Sequence, residues 1–420
     1  MSQRGVALFS RARGGPAGLP RVVYLVYALM LLNTMQFIAM VAIAPTYQDD
    51  LGLTKFQTSL ILAVSGVGSA VLALPVGAWC NRFGVRPVAL VGAGIVAATL
   101  WLQAFAPGLG WLLVARFIIG AGFCAVLSAA PAWIGEAAPA ERQAAATAGI
   151  MVMAGIGLLL GPVLAGTLAD AAGRATPMVV LSVLIGALVV VLALGPKHTA
   201  PPHGREPVLS TLKRARRSPL VVAGITLFGV GVLGENTSGT LVPLQLDRNG
   251  LSASAIGAVL SAGAAVFLVV SLVMARAAAR TMRMEIAAAA TGLLAVTMAI
   301  LASSGSTPVT ATGMILRTAV LAAMYTFAFP FAGIGAARVG IGAGAVFGAM
   351  QLAAGTANAI GPLLAGKIGE SVGDKWAYIL AIAVTLPTTV ALWRAARTET
   401  GRVEPAAAAA AGRVPQAAGE

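Results

Sequence analysis

From Arg21 onward the chain alternates long apolar runs with short polar breaks. Twelve runs can be counted, at about 22–44, 58–79, 87–106, 109–134, 145–168, 176–195, 220–243, 255–275, 286–303, 308–335, 341–364 and 376–394. A helix of roughly 20 apolar residues spans the ~30 Å hydrocarbon layer, where each backbone polar group must be satisfied within its own segment. The pattern therefore predicts an all-α membrane protein with twelve transmembrane helices. A basic, Pro-rich interruption at Gly195–Pro219 splits the runs six and six. The expected layout is a tail over 1–20, a six-helix bundle over 21–195, a linker over 196–219, a second bundle over 220–394 and a disordered tail over 395–420.

Composition agrees: 58% of the residues are hydrophobic and 10% charged, too little polar surface to cover a water-soluble chain of this size. The net charge of +14 raises the question of a nucleic-acid partner, and the placement of the charges answers it. With both termini in the cytoplasm, the inner segments carry 21 of the 28 Lys and Arg, the outer loops carry Lys55, Arg174, Arg248, Lys367 and Lys375, and two lie within helices. That asymmetry is the positive-inside pattern of a multi-pass protein in a bacterial cytoplasmic membrane. The cluster Lys213, Arg214, Arg216 and Arg217 reads as an anchor near anionic lipid, and no nucleic-acid partner is expected. Cys80 and Cys124 read as small packing residues. The first apolar run is long enough to span, so it reads as a helix rather than a cleavable signal.

An internal repeat sharpens the architecture. Gly155-Ile-Gly157-Leu-Leu-Leu-Gly161-Pro162-Val-Leu-Ala165-Gly166 in the fifth run is matched, 200 residues on, by Gly355-Thr-Ala-Asn358-Ala-Ile-Gly361-Pro362-Leu-Leu-Ala365-Gly366 in the eleventh. The match continues through Asp170 and Glu370 to Gly173 and Gly373. Gly52-Leu-Thr pairs with Gly250-Leu-Ser, Arg82 with Arg280, and Arg116 with Arg317. Two parallel six-helix halves related by an axis along the membrane normal can rock about a site between them.

Three motifs carry a family resemblance. Gly77-Ala-Trp-Cys-Asn81-Arg82-Phe-Gly84-Val-Arg86, between the second and third runs, resembles the loop signature of the major facilitator superfamily. Leu112-x-x-x-Arg116-x-x-x-Gly120-x-Gly122 is similar to that superfamily's second motif. Gly157-x-x-x-Gly161-Pro162-x-x-Ala165-Gly166 looks like the fifth-helix motif of its drug/proton antiporters. The resemblance covers residues 21–394 and implies a monomeric carrier working by alternating access. Two positions depart from the pattern: Asn81 stands where the family usually has Asp, and Ile119 where Gln is common. Asn81 cannot supply the fixed negative charge that pairs with a neighbouring Arg.

Each motif has a physical use. Gly84 permits a tight turn, while Arg82 and Arg86 can bind carbonyls at helix C-termini and latch the cytoplasmic side, or simply set orientation. Gly157, Gly161 and Gly166 strip one helix face of side chains and Pro162 bends the helix, giving close packing between the halves or a role particular to antiport.

Of fourteen acidic residues, Glu235 alone lies well inside an apolar run. A charge there costs roughly 2.5–3.5 kcal/mol on insertion scales, so it needs a partner or a proton. At 1.5 Å per residue from Leu220, Glu235 sits roughly 22 Å up, at a depth comparable with Arg116 and Arg317. The resemblance places the first, fourth, seventh and tenth helices around a central cavity, bringing these three charges to one aqueous chamber. Desolvation favours the neutral acid and a nearby Arg the anion, the competition a proton-coupling carboxylate needs. A static Glu–Arg pair is the alternative. Further cavity candidates are Asn33, Thr34 and Gln36, Asn236 and Thr237, Tyr325 and Phe329, and Gln351 and Asn358, any of which could instead satisfy a backbone carbonyl.

No nucleophile–base set, nucleotide loop or metal-ligand spacing is present, and His198 and His203 both fall in the linker, so neither an enzyme nor a cofactor or metal is expected. Transport remains. The fifth-helix motif favours proton-coupled efflux of a drug-like or amphipathic compound. The intramembrane arginines favour symport or exchange of a small organic anion held by Arg116 and Arg317. A non-transporting membrane scaffold or sensor is the third class.

Overall fold

The computed structural model describes residues 19–138, 143–195, 218–281, 283–339 and 343–398. Most of the N-terminal tail, the basic linker cluster with His198 and His203, and the end of the C-terminal tail lie outside the described residues.

Those residues form twelve α-helices: α1 (Arg21–Leu51), α2 (Lys55–Phe83), α3 (Val85–Ala104), α4 (Leu109–Ala137), α5 (Gln143–Ala172), α6 (Ala175–Leu194), α7 (Pro219–Arg248), α8 (Ala253–Thr281), α9 (Met284–Ser303), α10 (Thr307–Arg338), α11 (Ala343–Ser371) and α12 (Asp374–Thr398). Several outrun the apolar stretches that predict them; α1 has 31 residues because it continues past Pro45 into the polar segment Gln48–Asp50. Local chemistry sets the ends. Thr54 and Gln57 form a capping box at the start of α2, and Ser218 caps α7 with Pro219 in its first turn, satisfying amides that helix geometry leaves open.

Eleven of these helices are long and apolar enough to cross a membrane. The exception is α11, where Gln351, Thr356 and Asn358 sit among glycines and alanines. Exposed aromatics mark both ends of the bundle: Trp101, Phe105, Trp111 and Trp376 at one, Tyr24, Trp79, Phe83 and Trp393 at the other. Such belts belong at membrane–water boundaries. Between them, exposed Val91, Val183, Val190, Leu272 and Leu293 form a surface suited to lipid.

Each half has its own core. One cluster runs through α1–α6, including Leu29, Tyr47, Leu100, Leu112 and Ile119; the other runs through α7–α12, including Leu227, Leu241, Met324, Phe327 and Phe331, and takes in Ala42 from α1. Across the halves α2 packs on α11 and α5 on α8. Lipid supplies little hydrophobic drive between helices, so backbones must approach closely. A Cβ added to Gly66 would lie 2.5 Å from the Asn358 carbonyl carbon, and one on Gly355 would lie 3.0 Å from Ala70.

The α1–α2, α3–α4, α5–α6, α7–α8, α9–α10 and α11–α12 connections gather at one end of the bundle, the turn end. The α2–α3 turn, the end of α6 and the start of α7 lie at the other, the linker end. Side chains tie the connections together at the turn end. The Tyr47 hydroxyl donates to the Gln103 carbonyl over 3.1 Å, Arg174 pairs with Asp50 at 3.6 Å, and Gln245 and Asn249 both donate to the Gly305 carbonyl.

Candidate functional site

Glu235 lies in the middle of α7, half-buried, between α10 and α11. Its carboxylate accepts a 2.8 Å hydrogen bond from the Tyr325 hydroxyl of α10. Aromatic rings surround this pair. Phe228 lies 5.1 Å from the Tyr325 ring and 5.0 Å from Phe329, and Phe267 of α8 approaches Tyr325 at 6.1 Å. Close backbone contact makes the arrangement possible: a Cβ on Gly231, one turn before Glu235, would lie 2.7 Å from the Tyr325 ring.

Arg317, about two turns before Tyr325 on α10, does not pair with the Glu235 carboxylate. Its Nη1 donates instead to the Glu235 backbone carbonyl over 3.1 Å, and its Nη2 donates to the Thr318 hydroxyl over 3.0 Å. The guanidinium is only 3% exposed, and its Nε has no hydrogen-bond partner. The static Glu–Arg pair held open as the alternative is not what the side chains form: the packing of α7 on α10 turns the carboxylate toward position 325 and the carbonyl toward position 317.

In the first half Arg116 is 1% exposed. Its Nη2 donates to the Ser65 hydroxyl of α2 over 3.2 Å, and its guanidinium lies 5.8 Å from the Phe37 ring, which stacks on Phe123 at 4.3 Å. Nε and Nη1 have no partner. Gly120 explains the burial. A Cβ there would collide with the Ser65 carbonyl oxygen, so glycine one turn after Arg116 brings α4 against α2 and Ser65 under the guanidinium. The Ser69 hydroxyl donates to the Gly120 carbonyl over 2.8 Å at the same crossing.

The expectation that both arginines project into one chamber with Glu235 therefore needs revision: each guanidinium is held inside its own half. Asn33 and Gln36 are buried likewise, and the Gln36 side-chain amide donates to the Asn33 carbonyl over 3.0 Å. Asn236 and Asn358 form a pair, amide to carbonyl over 2.6 Å, between α7 and α11; the sequence flags both residues but gives no sign of the bond. Ser65, Phe228 and Phe267 escape sequence reasoning entirely.

At the linker end Arg86, the second residue of α3, donates to the carbonyls of Leu192, Ala193 and Gly195 at the end of α6, at 2.7–3.1 Å. Gly84, with φ +88°, makes the single-residue turn that starts α3. Arg82 lies over the Phe83 ring at 5.1 Å, and Gly77 has open space where a Cβ would be. Asn81 falls in the last turn of α2, and its side chain lies outside the described residues.

The fifth-helix glycines divide between two jobs. A Cβ on Gly157 would lie 2.7 Å from the Leu31 carbonyl oxygen and one on Gly161 would lie 2.6 Å from Ile38, so these two pack α5 on α1 within the half. Gly166 faces the other half, where a Cβ would collide with the Ala253 carbonyl of α8. Pro162 sits at the same crossing, its carbonyl against Gly257. The glycines of α11 repeat the division, with Gly361 against Asn236 of α7 and Gly366 against Ser59 of α2.

A cavity of about 490 Å³ lies between α7 and α11, walled mainly by apolar residues between Val222 and Leu233 and between Ala349 and Ile360, with Thr226 and Thr356 the polar exceptions. Glu235 does not line it.

Comparison with known proteins places the chain. The profile of the Major Facilitator Superfamily matches residues 25–355. The 4-hydroxybenzoate transporter PcaK of Pseudomonas putida is 28% identical over 173 residues, covering 41% of this chain and 38% of that protein. The multi-drug resistance efflux pump PmrA of Streptococcus pneumoniae is 24% identical over 154 residues, covering 36% and 37%. The matched stretches span from about a quarter to two fifths of the curated relatives' length. In three dimensions the chain is similar to a bacterial homologue of the human lysosomal transporter Spinster in an inward-facing, unoccupied conformation, with a TM-score of 0.68 and 14% identity over 91% of this chain and 98% of that one.

Proposed function

Because the chain belongs to the major facilitator superfamily of membrane transporters, we propose that it moves a small molecule across a bacterial cytoplasmic membrane by alternating access. In this reading it acts as a monomer with both termini inside, driven by protons. The observation that carries the coupling is the Glu235–Tyr325 pair. The carboxylate is half-buried in mid-bundle, held by a neutral hydroxyl and not locked to a guanidinium, and in this reading it exchanges a proton during the transport cycle. An acid in that setting is costly enough to be a functional group by default.

The aromatic cluster of Phe228, Phe267, Tyr325 and Phe329 beside Glu235 offers apolar area to an amphipathic, drug-like compound once the halves part, and efflux is the direction favoured by the fifth-helix motif and by the likeness to PmrA. The test is transport in proteoliposomes with an imposed pH gradient. Glu235→Gln should abolish proton-driven accumulation while leaving substrate binding measurable; unchanged proton-driven transport would remove Glu235 from the mechanism.

A second reading has its own support. Nε and Nη1 of Arg116 and Nε of Arg317 are buried donors without partners, and PcaK is named for a small aromatic carboxylate. In this reading the substrate is an organic anion whose carboxylate engages the open donor of Arg317, the guanidinium beside Glu235, when the site opens. Saturable counterflow of 4-hydroxybenzoate, lost in Arg317→Ala, would favour it over efflux.

A further inference from the structure

The turn end carries a device that the repeat writes twice. In α8, Ser252 is the capping residue: its hydroxyl accepts from the Ala255 amide, the third of the helix, over 3.3 Å. The second amide, Ser254 N, donates instead to Asp170 at the end of α5 in the other half, over 2.8 Å. In α2 the capping residue is Thr54, which accepts from the third amide, Gln57 N, over 3.2 Å. The second amide, Phe56 N, donates to Glu370 at the end of α11 in the other half, over 2.6 Å. The two sites agree in register to the residue. In both, the acid follows by four positions a glycine (Gly166, Gly366) whose missing side chain lets the helices touch.

A helix start presents open amides and the positive end of the helix dipole, so a carboxylate there is favoured. What is unusual is the origin of the carboxylate: each half caps a helix of the other. These bonds exist only while the halves meet at the turn end. Lys55, the residue before Phe56, is bound to Asp374 of the second half, which also holds Arg248.

We infer that Asp170 and Glu370 are a matched pair of reciprocal caps that hold the turn end shut and set the balance between the two access states. The inference uses the alternating-access reading only for the meaning of the open state. Its test reads distance rather than transport, so its failure would leave the coupling role of Glu235 standing.

Spin labels at Ala171→Cys and Ser371→Cys, one exposed position in each half, on a background with Cys80 and Cys124 replaced by serine, report the turn-end separation of the full chain by pulsed dipolar spectroscopy. Asp170→Asn and Glu370→Gln should each raise the ratio of long to short distances by roughly two- to fivefold, the range for a charge at a helix terminus, with the double variant showing the product. Asp170→Glu with Glu370→Asp keeps both charges and should stay nearer the parent distribution than the neutral pair. An unchanged distribution in the neutral double variant would overturn the inference, as would an equal shift in the charge-preserving pair.

Discussion

The Tyr325 hydroxyl reaches across 90 positions of sequence to the Glu235 carboxylate, 2.8 Å away, while the guanidinium of Arg317 on the same helix binds the carbonyl of that same glutamate. One residue of α7 is thus held twice by α10, at its side chain by a neutral donor and at its backbone by a charged one. The charged contact is made by the backbone carbonyl and leaves the carboxylate to the neutral hydroxyl.

Tyr325→Phe separates the two roles. The ring keeps its contacts with Phe228 and Phe267, so the loss of folding stability should be about 1 kcal/mol, the ordinary net worth of a hydrogen bond. Proton-driven flux should fall severalfold, seen as a slower approach to steady state in vesicles. Full activity in this variant would count against the pair as the coupling site.

The Asn236–Asn358 bond joins two helices at mid-bundle. A double-mutant cycle with alanine at both positions, read by thermal denaturation in detergent, should give a coupling energy of about 0.6–1.7 kcal/mol, the range for interhelical hydrogen bonds in membranes. Strict additivity would show the bond contributes nothing to stability.

Two glycines in neighbouring motifs should respond in opposite ways. Gly120→Val drives a branched side chain into the Ser65 backbone and should abolish recovery of monodisperse protein. Gly77→Ala meets open space within a helix and should be neutral or stabilising, by roughly 0.5–1 kcal/mol. Gel filtration and melting curves of the two variants side by side decide the point.

At the turn between α2 and α3, Gly84 has φ +88°, a backbone region costly for other residues. Gly84→Ala should destabilise by about 1–3 kcal/mol. Arg86→Lys, which exchanges a planar fork for a point charge, should fail to hold the three α6 carbonyls together, and limited proteolysis should show earlier cleavage near Gly195.

Much of this architecture is legible in the sequence. The 200-residue offset of Gly161-Pro162 and Gly361-Pro362 identifies the duplication, and the same offset picks out α11, which its hydropathy undersells. It also pairs Asp170 with Glu370. Rarity makes Arg116, Glu235 and Arg317 stand out, since charges seldom occur inside apolar runs. Their partners do not stand out in the same way. Whether Glu235 turns to position 317 or 325 depends on the azimuth of α7, and that is set by contacts such as Gly231 on Tyr325 and Gly224 on Ala328, between residues about a hundred positions apart. Ser65 is hidden for the same reason: nothing near it in the chain announces Arg116.

Arg116 finds its bond on α2 and Arg317 its bonds on α7 and α10, all within the half to which each belongs. Rocking one half against the other therefore tears no guanidinium from its seat in the oily layer, where such a rupture would be slow and costly. The seam at that depth slides over glycine, alanine and neutral amide groups. The ionic bonds that must break lie at the rim, where incoming water takes their place, so the steepest part of the opening barrier should sit at the membrane surface and flatten as ionic strength rises.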